Sequence, residues 1–463
     1  MRRRVMVATV LGVLFAMGWW AGGSRASRDL YAGLDLFVEV LESVQDNYVD
    51  AVETSKLVTG AMRGVAHGLD PWSRYLDAEE FRAARGSIQG TFDGIGASVD
   101  QRDGWPVVVA PIEGSPAWDA GLHPGDVIVR VDGRGTYGLS PDEVAGRLRG
   151  EAGTQVKLDL MRGDDELELV LERRRVQVRN VPYAFAVEPG VGYLRLSQFS
   201  VGAGREVAAA LDTLRAAGAR AVVLDLRGNP GGTMDEAVAI AGLFLPNGAE
   251  VMRTEGRAAG VSRDYRVESA RPAFAGPLAV LVDRGSASAS EILAGALQDH
   301  DRAVLVGDTT YGKGVAQQIY PLRGSQGAVQ ITVSRYRTPS GRTLHRERTA
   351  AAFDPESDED AGDERAPAPE VRDTARTWRT AAGRLVRGGR GLEPEAAVVA
   401  DSSALRLRTD SRHPGGPAGA ARAALAIDPV FQRALALVRG AADTRAVFAA
   451  AGAPLPGGPP KRR

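Results

Sequence analysis

The sequence contains no cysteine, and this absence excludes several classes of chemistry at once. Disulfide bonds, thiolate metal sites, cysteine nucleophiles and lipid attachment to a lipobox cysteine all require a thiol. A chain of 463 residues can build a stable core without disulfides, however. An oxidising compartment therefore stays compatible with the sequence.

The chain also lacks a strong charge of either sign. It has 57 Lys and Arg against 58 Asp and Glu, which gives a formal net charge of −1. No overall positive field exists to attract a polyanion, so nucleic acid is not expected as a partner. A chain of 463 residues is long enough for two or three compact domains, and a hydrophobic content of 44% is ordinary for a globular protein.

A single long apolar run lies at the N-terminus. Arg2, Arg3 and Arg4 precede an uncharged, mostly apolar stretch at 5–21. Charged residues before an apolar run are typical of an export signal, and this run nearly reaches the length that spans a bilayer. Residues 1–23 are therefore predicted to be a signal peptide or a membrane anchor. The expected location is the cell envelope, periplasmic or extracytoplasmic, with anchoring in the inner membrane as one alternative.

Hydrophobic periodicity divides the remaining chain into regions. Residues 28–88 show helical spacing, and glycines with short alternating runs predict a β-rich unit at 89–175. In that unit, Ser140-Pro141-Asp142-Glu143 carries the signals of a helix start. Residues 176–345 alternate strands and helices, which predicts an α/β layer. The predicted elements are the strands Ala221–Leu226, Leu278–Val282, Ala303–Val306 and Val329–Tyr336 and the helices Met234–Leu245 and Ser290–Asp299.

The last part of the chain has a different composition. Asp354–Glu364 is densely acidic and Ala-Pro repeats follow, so 346–375 is predicted to be a disordered insert. A calcium site there is an alternative, but the spacing of an EF-hand is absent. Residues 376–401 are predicted to return to the core. The C-terminal helical region and tail, 402–463, contains a predicted helix at Pro429–Val438.

Serines crowd the start of one predicted helix, in the segment Gly285-Ser-Ala-Ser-Ala-Ser-Glu291. Backbone N–H groups are unpaired at a helix start, and the helix dipole is positive there. A serine at this point can attack a carbonyl carbon while neighbouring N–H groups hold the developing oxyanion. The same segment is also an ordinary helix-entry sequence, so it does not establish catalysis alone.

Two glycine-rich turns follow other predicted strands. Lys313 lies between Gly312 and Gly314 and could act as a general base if burial lowers its pKa. Serine–lysine pairs are a known variant of the serine–histidine arrangement. In Asp225–Gly232, paired glycines let the backbone approach a substrate closely. The plainer interpretations are an exposed lysine on a flexible turn and a simple strand-to-helix turn.

Two rival interpretations use the same residues. The spacing from Gly307 to Lys313 matches a phosphate-binding loop, but Gly314 stands where Ser or Thr would bind magnesium, and no helix follows. A serine–histidine triad would need one of the five histidines. His300 lies near the serine-rich segment, at a helix end where histidine often contacts the last carbonyls.

Together these segments closely resemble the carboxy-terminal processing (tail-specific) proteases. The resemblance lies in the serine-rich segment, the lysine turn and the paired-glycine turn, with Gln298-Asp299 and Gly307-Asp308-Thr309 between them. It implies a serine endopeptidase that cleaves exported proteins near their C-termini. The nucleophile would be Ser288, the general base Lys313, and the amide that orients the lysine Gln317.

The resemblance also implies the rest of the catalytic apparatus. The oxyanion would be bound by the N–H of Ala289 and by that of either Gly231 or Gly232. No metal and no organic cofactor are implied. The expected fold is a crotonase/ClpP-like α/β peptidase core with an inserted β-rich PDZ domain and an N-terminal helical segment.

The predicted PDZ domain carries the expected partner site. The loop Gly94-Ile95-Gly96-Ala97 would present N–H groups to the terminal carboxylate of a substrate with an apolar C-terminal tail. Ile95, Val144 and Leu148 are candidates for its apolar pocket, with ordinary core packing as the alternative. For the assembly, a homo-oligomer is one option that the sequence leaves open. For the function, the alternative to a peptidase is a non-catalytic PDZ adapter that retains the peptidase fold.

The sequence departs from the family pattern at a few positions. Trp72 stands where histidine is usual, and Glu395 stands where aspartate is usual. Ala316 replaces the valine that normally precedes the orienting amide. None of these changes removes Ser288 or Lys313.

Overall fold

The computed structural model describes residue 31 and residues 33–455, apart from 113, 269–271, 324–326, 347–375, 401–415 and 454. The predicted export segment lies outside the described residues, as does the predicted insert except for Arg346. No helix in the described part of the chain is long and apolar enough to cross a membrane. The chain forms two compact units, Met1–Leu69 and Asp70–Arg463.

The first unit is helical over its described residues. Helix α1 spans 33–47, and α2 spans Thr54–His67. The side chain of Gln45 donates to Thr54 Oγ1 at 2.6 Å and joins the end of α1 to the start of α2. Helix α2 buries only Ala66, so most apolar side chains of this unit stay exposed.

The second unit begins with a strand that the sequence pattern did not predict, β1 at Arg74–Leu76. Helix α3 follows at Ala78–Gln89. Asp77 accepts the N–H groups of Glu79 and Glu80, and the side chain of Glu80 accepts that of Asp77, which is a complete capping box. Three residues are too few for hydrophobic alternation to identify, which is why β1 was missed.

The β-rich unit has the strand content that glycine spacing predicted. A six-stranded sheet has the order β3-β4-β5-β7-β8 with β6 on β5, and β2 pairs separately with β9. Its helix α5 is entered as predicted, because Ser140 accepts the N–H of Glu143 and Pro141 takes the first helical position. The elements are β2 Thr91–Gly94, β3 Ala97–Arg102, β4 Trp105–Pro111, α4 Pro116–Asp119, β5 Val127–Val131, β6 Arg134–Gly135, α5 Pro141–Leu148, β7 Gln155–Arg162, β8 Asp165–Glu172 and β9 Arg174–Gln177.

The remaining residues build a mainly parallel sheet with the order β10-β11-β12-β15-β16-β21. Only β10 and β11 run antiparallel within it. Strands β12 and β15 are buried at every position, which is why they appear as continuous apolar runs. The elements are β10 Tyr183–Glu188, β11 Val191–Arg195, α6 Ala203–Ala216, β12 Ala221–Asp225, α7 Met234–Ala241, β15 Leu278–Val282, α8 Ala289–Asp299, β16 Val304–Gly307 and β21 Ala396–Ala397.

Helices cover both faces of this sheet. Val222 and Leu224 point into a core shared with α6, α7 and α8, whereas Val223 and Leu281 point into the opposite core. That second core is completed by the C-terminal helices, whose Phe431 is fully buried. These helices are α9 Gly416–Ile427, α10 Pro429–Val438 and α11 Thr444–Ala450. The predicted α/β layer is confirmed.

A second sheet has the order β1-β18-β13-β14, with β17 also on β18. It holds β17, the strand that follows the lysine turn, whereas β16, which precedes the turn, belongs to the central sheet. Its strands are β13 Glu250–Gly256, β14 Arg263–Arg266, β17 Val315–Pro321 and β18 Ala328–Arg337, and a separate pair is formed by β19 Thr377–Arg379 and β20 Leu385–Arg387. Helix α7 is shorter than predicted, because it ends before Gly242 rather than at Leu245.

Buried ion pairs fix the segment after the insert. Arg342 pairs with Asp299 at 2.7 Å, and Arg384 pairs with Asp301 at 2.6 Å and with Glu395 at 2.7 Å. All five side chains are at most 9% exposed. The glutamate that departs from the family pattern is therefore fully engaged in holding this segment to the end of α8.

Candidate active site

Ser288 occupies the strained turn between β15 and α8. Its backbone has φ 54° and ψ −113°, outside the regions that a residue with a side chain normally adopts. Strained residues of this kind are concentrated at functional sites. Helix α8 begins at the next residue, so the Ser288 hydroxyl lies at the positive end of an 11-residue helix.

Glu291 connects the serine turn with the lysine turn. Its Oε2 accepts the backbone N–H of Ser288 at 3.0 Å and that of Lys313 at 2.9 Å. Its Oε1 accepts the Thr310 hydroxyl at 2.6 Å and the Gly312 N–H at 2.8 Å. Burial raises the pKa of this carboxyl to about 7, although all four hydrogen bonds act to lower it.

Lys313 is positioned in the loop between β16 and β17. Burial lowers the pKa of its ammonium and the nearby Arg74 lowers it further, whereas Glu291 and Asp70 oppose the shift. The ammonium faces the indole of Trp72, 5.0 Å from the ring centroid. Among the described residues, no hydrogen bond joins this ammonium to the Ser288 hydroxyl, and the two turns are linked through their backbone N–H groups, which both donate to Glu291.

The two predicted oxyanion glycines have different surroundings. At Gly231, where φ is +98°, a Cβ would lie 2.7 Å from the Ala289 nitrogen and 2.9 Å from Ser288 Cβ. At Gly232 a Cβ would instead lie 2.4 Å from the carbonyl oxygen of Phe199. Gly231 therefore lies against the serine turn, whereas Gly232 lies against the loop that follows β11 and contains Phe199.

The N–H groups of these residues differ in availability. The Gly231 N–H donates to Asn229 Oδ1 at 2.9 Å. Those of Gly232 and Ala289 have no acceptor among the described residues. The Asn229 carbonyl holds the serine segment in turn, because it accepts the Ala287 N–H at 3.0 Å and the Ser290 hydroxyl at 2.9 Å.

Gln317 lies on β17, directly opposite Thr332 of β18. Its amide donates to Thr332 Oγ1 at 3.3 Å. The N–H of Thr332 donates to Ser73 Oγ at 3.1 Å. The predicted orienting amide is thus connected to the turn that carries Trp72.

Sequence reasoning missed Tyr336, on β18. Its hydroxyl donates to the Lys313 carbonyl oxygen and lies 3.4 Å from the Ser288 carbonyl oxygen. Burial raises its pKa well above the usual value, so it stays a donor. It also missed the roles of Glu291 and Thr310. For Glu291 a signal was present, because an acidic residue three positions into a helix is typical of a cap.

The rival interpretations do not fit the geometry. The ring of His300, the residue that follows α8, contacts the Glu250 carbonyl oxygen of β13 at 2.7 Å and no serine hydroxyl among the described residues. After Lys313 the chain enters strand β17, whereas a phosphate-binding loop would lead into a helix. Both alternatives were already disfavoured by the sequence.

The predicted PDZ residues lie along α5 and in the loop that is bridged to the residue after this helix. A bridge between Gly94 and Arg149 joins the loop to the residue after that helix. The candidate pocket residues Ile95, Val144 and Leu148 are all buried in one core cluster. At Gly96, where φ is +78°, a Cβ would lie 2.3 Å from Ser115 Cβ, so the loop requires glycine.

Comparison with known proteins identifies the family of this chain. Residues 190–353 match Peptidase family S41, and residues 107–162 match a PDZ domain. The carboxy-terminal processing protease CtpA of Bacillus subtilis is 35% identical, over 70% of this chain and 69% of that protein. The carboxy-terminal-processing protease of Bartonella bacilliformis is 37% identical, over 68% and 74%. This chain belongs to the carboxy-terminal processing proteases.

As a member of this family, the protein is a serine-type peptidase with the S41 peptidase fold and a PDZ domain. It is also similar to a solved photosystem II D1 C-terminal processing protease. That structure is 28% identical and covers 83% of this chain and 97% of its own, with a TM-score of 0.43. The recognition of the family from sequence is confirmed.

Proposed function

We propose that this protein is an endopeptidase in which Ser288 and Lys313 form a catalytic dyad that cuts exported proteins near their C-termini. One observation carries the proposal: a single carboxylate oxygen of Glu291 accepts the N–H groups of both residues. With hydrogen bonds of 3.0 and 2.9 Å to one atom, the two nitrogens are at most about 6 Å apart. This supports a nucleophile and a base on adjoining turns.

In the proposed reaction, the neutral amine of Lys313 accepts the hydroxyl proton as Ser288 Oγ attacks the substrate carbonyl carbon. The resulting oxyanion is bound by N–H groups of Ala289 and Gly232, which have no other acceptor in the described structure. The ammonium then gives its proton to the departing amine as the C–N bond breaks. Water hydrolyses the acyl-serine ester, with the same lysine as base.

The lysine must be uncharged to act as a base. Burial and the nearby Arg74 lower its pKa, so the neutral amine forms at a lower pH than it does for an exposed lysine. We assign Gln317 the role of orienting this amine during catalysis. Its contact with Thr332 holds the amide against β18, the strand that also carries Tyr336.

The PDZ domain is proposed to select substrates by their apolar C-terminal tails and to gate cleavage. The loop from Gly94 to Ala97 would bind the terminal carboxylate, and the tail would add as a strand beside β3. Because Ile95, Val144 and Leu148 are buried, this pocket would have to open for a side chain to enter. Excision of 89–175 should therefore change both cleavage rate and tail selectivity.

The finer architecture and the location belong to the same proposal. We propose a crotonase/ClpP-like core, with domain boundaries as in the sequence analysis. Residues 5–21 would direct the protein to the cell envelope, as a signal peptide or as an anchor. The relatives in Bacillus subtilis and Bartonella bacilliformis are both bacterial proteins of the same family.

Intact-mass analysis of a reporter protein with an apolar C-terminal tail tests the proposal. Wild-type protein should shorten the reporter from its C-terminus. Ser288→Ala and Lys313→Ala should each lower the rate of this truncation by a factor of about 1000 or more. A reporter whose tail ends in two aspartates serves as the substrate control.

Two outcomes would contradict the proposal. A fully active Lys313→Ala variant would remove the lysine from the mechanism. Binding of the reporter by wild-type protein without any truncation would favour the PDZ adapter. The variant Lys157→Ala is the matched control, because this lysine lies in the PDZ domain and pairs with Glu168 at 2.9 Å.

A further inference from the structure

The turn that carries Trp72 is built to hold this side chain in one place. Asp70 Oδ1 accepts the N–H groups of Trp72 and Ser73, each at 2.8 Å, and Oδ2 accepts the Ser73 hydroxyl at 3.1 Å. The same hydroxyl oxygen accepts the Thr332 N–H at 3.1 Å. The turn is thereby attached to β18, next to the strand that follows the lysine loop.

The indole of Trp72 contacts both the lysine and a second aromatic ring. The Lys313 ammonium is 5.0 Å from its centroid, within the range of a cation–π contact. The ring of Tyr311 packs edge-on against Trp72, with centroids 5.9 Å apart. Tryptophan is the strongest cation–π partner among the aromatic side chains, and partial burial strengthens the attraction further.

We propose that Trp72 is a positioning residue that holds the protonated Lys313 at rest and thereby sets the pH at which this lysine becomes a base. The attraction requires the positive charge, so deprotonation releases the neutral amine, which can then turn to the Ser288 hydroxyl. This inference rests on the proposed function, in which Lys313 is the general base. It also gives a role to the tryptophan that replaces the usual histidine.

Other charged and titratable groups surround the lysine, and none of them can replace the ring. Arg74 on β1 disfavours the ammonium, whereas Asp70 and Glu291 favour it. Tyr336 on β18 donates to the lysine carbonyl, and the N–H of Arg346 donates to the Gly312 carbonyl at 2.9 Å, with His345 beside it. All of these groups are retained in a Trp72 variant, so a change in the Lys313 pKa measures the effect of removing the indole ring.

The pKa of Lys313 can be measured directly because the chain has only four lysines, Lys56, Lys157, Lys313 and Lys461. The full chain labelled with ¹³Cε-lysine is titrated by NMR, and the Lys313 signal is assigned by its loss in Lys313→Met. In Trp72→Leu the Lys313 pKa should fall by about one unit, because the ammonium loses its cation–π partner. Trp72→Phe should give a smaller fall.

The pH profile of reporter truncation gives a second measurement. In Trp72→Leu the rise of kcat/KM with pH should be displaced to lower pH by about one unit. At a given pH on this rise, the variant should therefore cleave the reporter about tenfold faster than wild-type protein does. The control is Trp378→Leu, which removes another ring with a cation over it, Arg376 at 5.3 Å, and should leave both the pKa and the rise of kcat/KM unchanged.

An unchanged Lys313 pKa in Trp72→Leu would overturn the inference. So would a raised pKa, because the ring would then act only by excluding water. Failure of the proposed function is distinguishable from both results. It would appear as truncation that persists in Ser288→Ala or Lys313→Ala, whatever the NMR titration shows.

Discussion

Ser288 and Lys313 are 25 positions apart in the chain, yet their backbone N–H groups donate to the same oxygen atom, Oε2 of Glu291. A buried carboxylate that accepts four donors holds two turns in a fixed relation more firmly than a surface contact could. The geometry of the proposed dyad therefore depends on a third residue that contributes no atom to the reaction.

Glu291→Gln is expected to lower kcat of reporter truncation by about 100-fold, because an amide nitrogen would face N–H donors where an oxygen now accepts them. Far-UV circular dichroism should show a folded protein. The variant Glu236→Gln is the control, since this glutamate accepts N–H groups of Gly202 and Gly204 away from the serine turn. Equal losses in the two variants would contradict a specific role of Glu291.

The raised pKa of Glu291 predicts a distinctive pH dependence of stability. The folded-state pKa is about 7 against a reference value of 4.5, so between these values the folded protein holds a proton that the unfolded chain has lost. The free energy of unfolding should fall, relative to Glu291→Gln, by about 3 kcal/mol as pH rises from 4.5 to 7. Urea unfolding of both proteins across this range measures it, and parallel pH curves would refute it.

Lys313→Met should abolish truncation and yet stabilise the fold at neutral pH. The folded-state pKa of Lys313 is lowered, so the unfolded chain binds the proton more tightly and the charged lysine costs stability at neutral pH. This cost is lost as pH rises towards the unfolded pKa of about 10.4. The Tm should rise by about 2 °C at pH 7, and the gain should shrink by pH 10. A lower Tm at pH 7 would disprove the prediction.

Gly231→Ala and Gly228→Ala separate a contact with the serine turn from backbone strain alone. Both glycines have positive φ, but a Cβ at Gly231 would lie 2.7 Å from the Ala289 nitrogen, whereas nothing lies within 4 Å at Gly228. Each variant should lose about 1 kcal/mol of stability from strain. Only Gly231→Ala should lose kcat, by about 100-fold. Similar activity of the two variants would contradict the placement of Gly231.

Asp428→Asn should destabilise the protein by about 3 kcal/mol in urea unfolding, although asparagine retains the helix cap. Asp428 caps α10 and pairs with the buried Arg227 at 2.6 Å, so the change leaves a buried guanidinium with one carboxylate fewer. Asp443→Asn, at the exposed cap of α11, is the matched control and should cost little. Comparable losses at both caps would show that the ion pair is unimportant.

The sequence predicted those features that depend on local signals. The start of α5 at Ser140, the strand Leu278–Val282 and the helix Pro429–Val438 all match, because capping residues and apolar runs act over a few positions. The sequence also predicts that the serine and lysine turns lie outside the PDZ unit at 89–175. Family resemblance then supplied the candidate roles, which local signals left undecided.

The contacts that complete the site could not be predicted in this way. Trp72 and Tyr336 meet near Lys313 because β1 and β17 both pair with β18, whereas Glu291 reaches the lysine turn from α8. Partners this far apart in sequence leave no local signal. The same limit applies to the glycine pair. Of Gly231 and Gly232, it is Gly231 whose N–H already donates to a side chain, the Oδ1 atom of Asn229. The sequence carries no sign of this hydrogen bond.

The helices α9 to α11 form the layer that closes the second face of the central sheet. Asp428, which caps α10, pairs with Arg227 at 2.6 Å, so this layer is joined to the paired-glycine turn by a buried ion pair. Loosening of α10 would therefore expose a buried charge at the turn, so damage to the outer helices is expected to reach the centre of the domain.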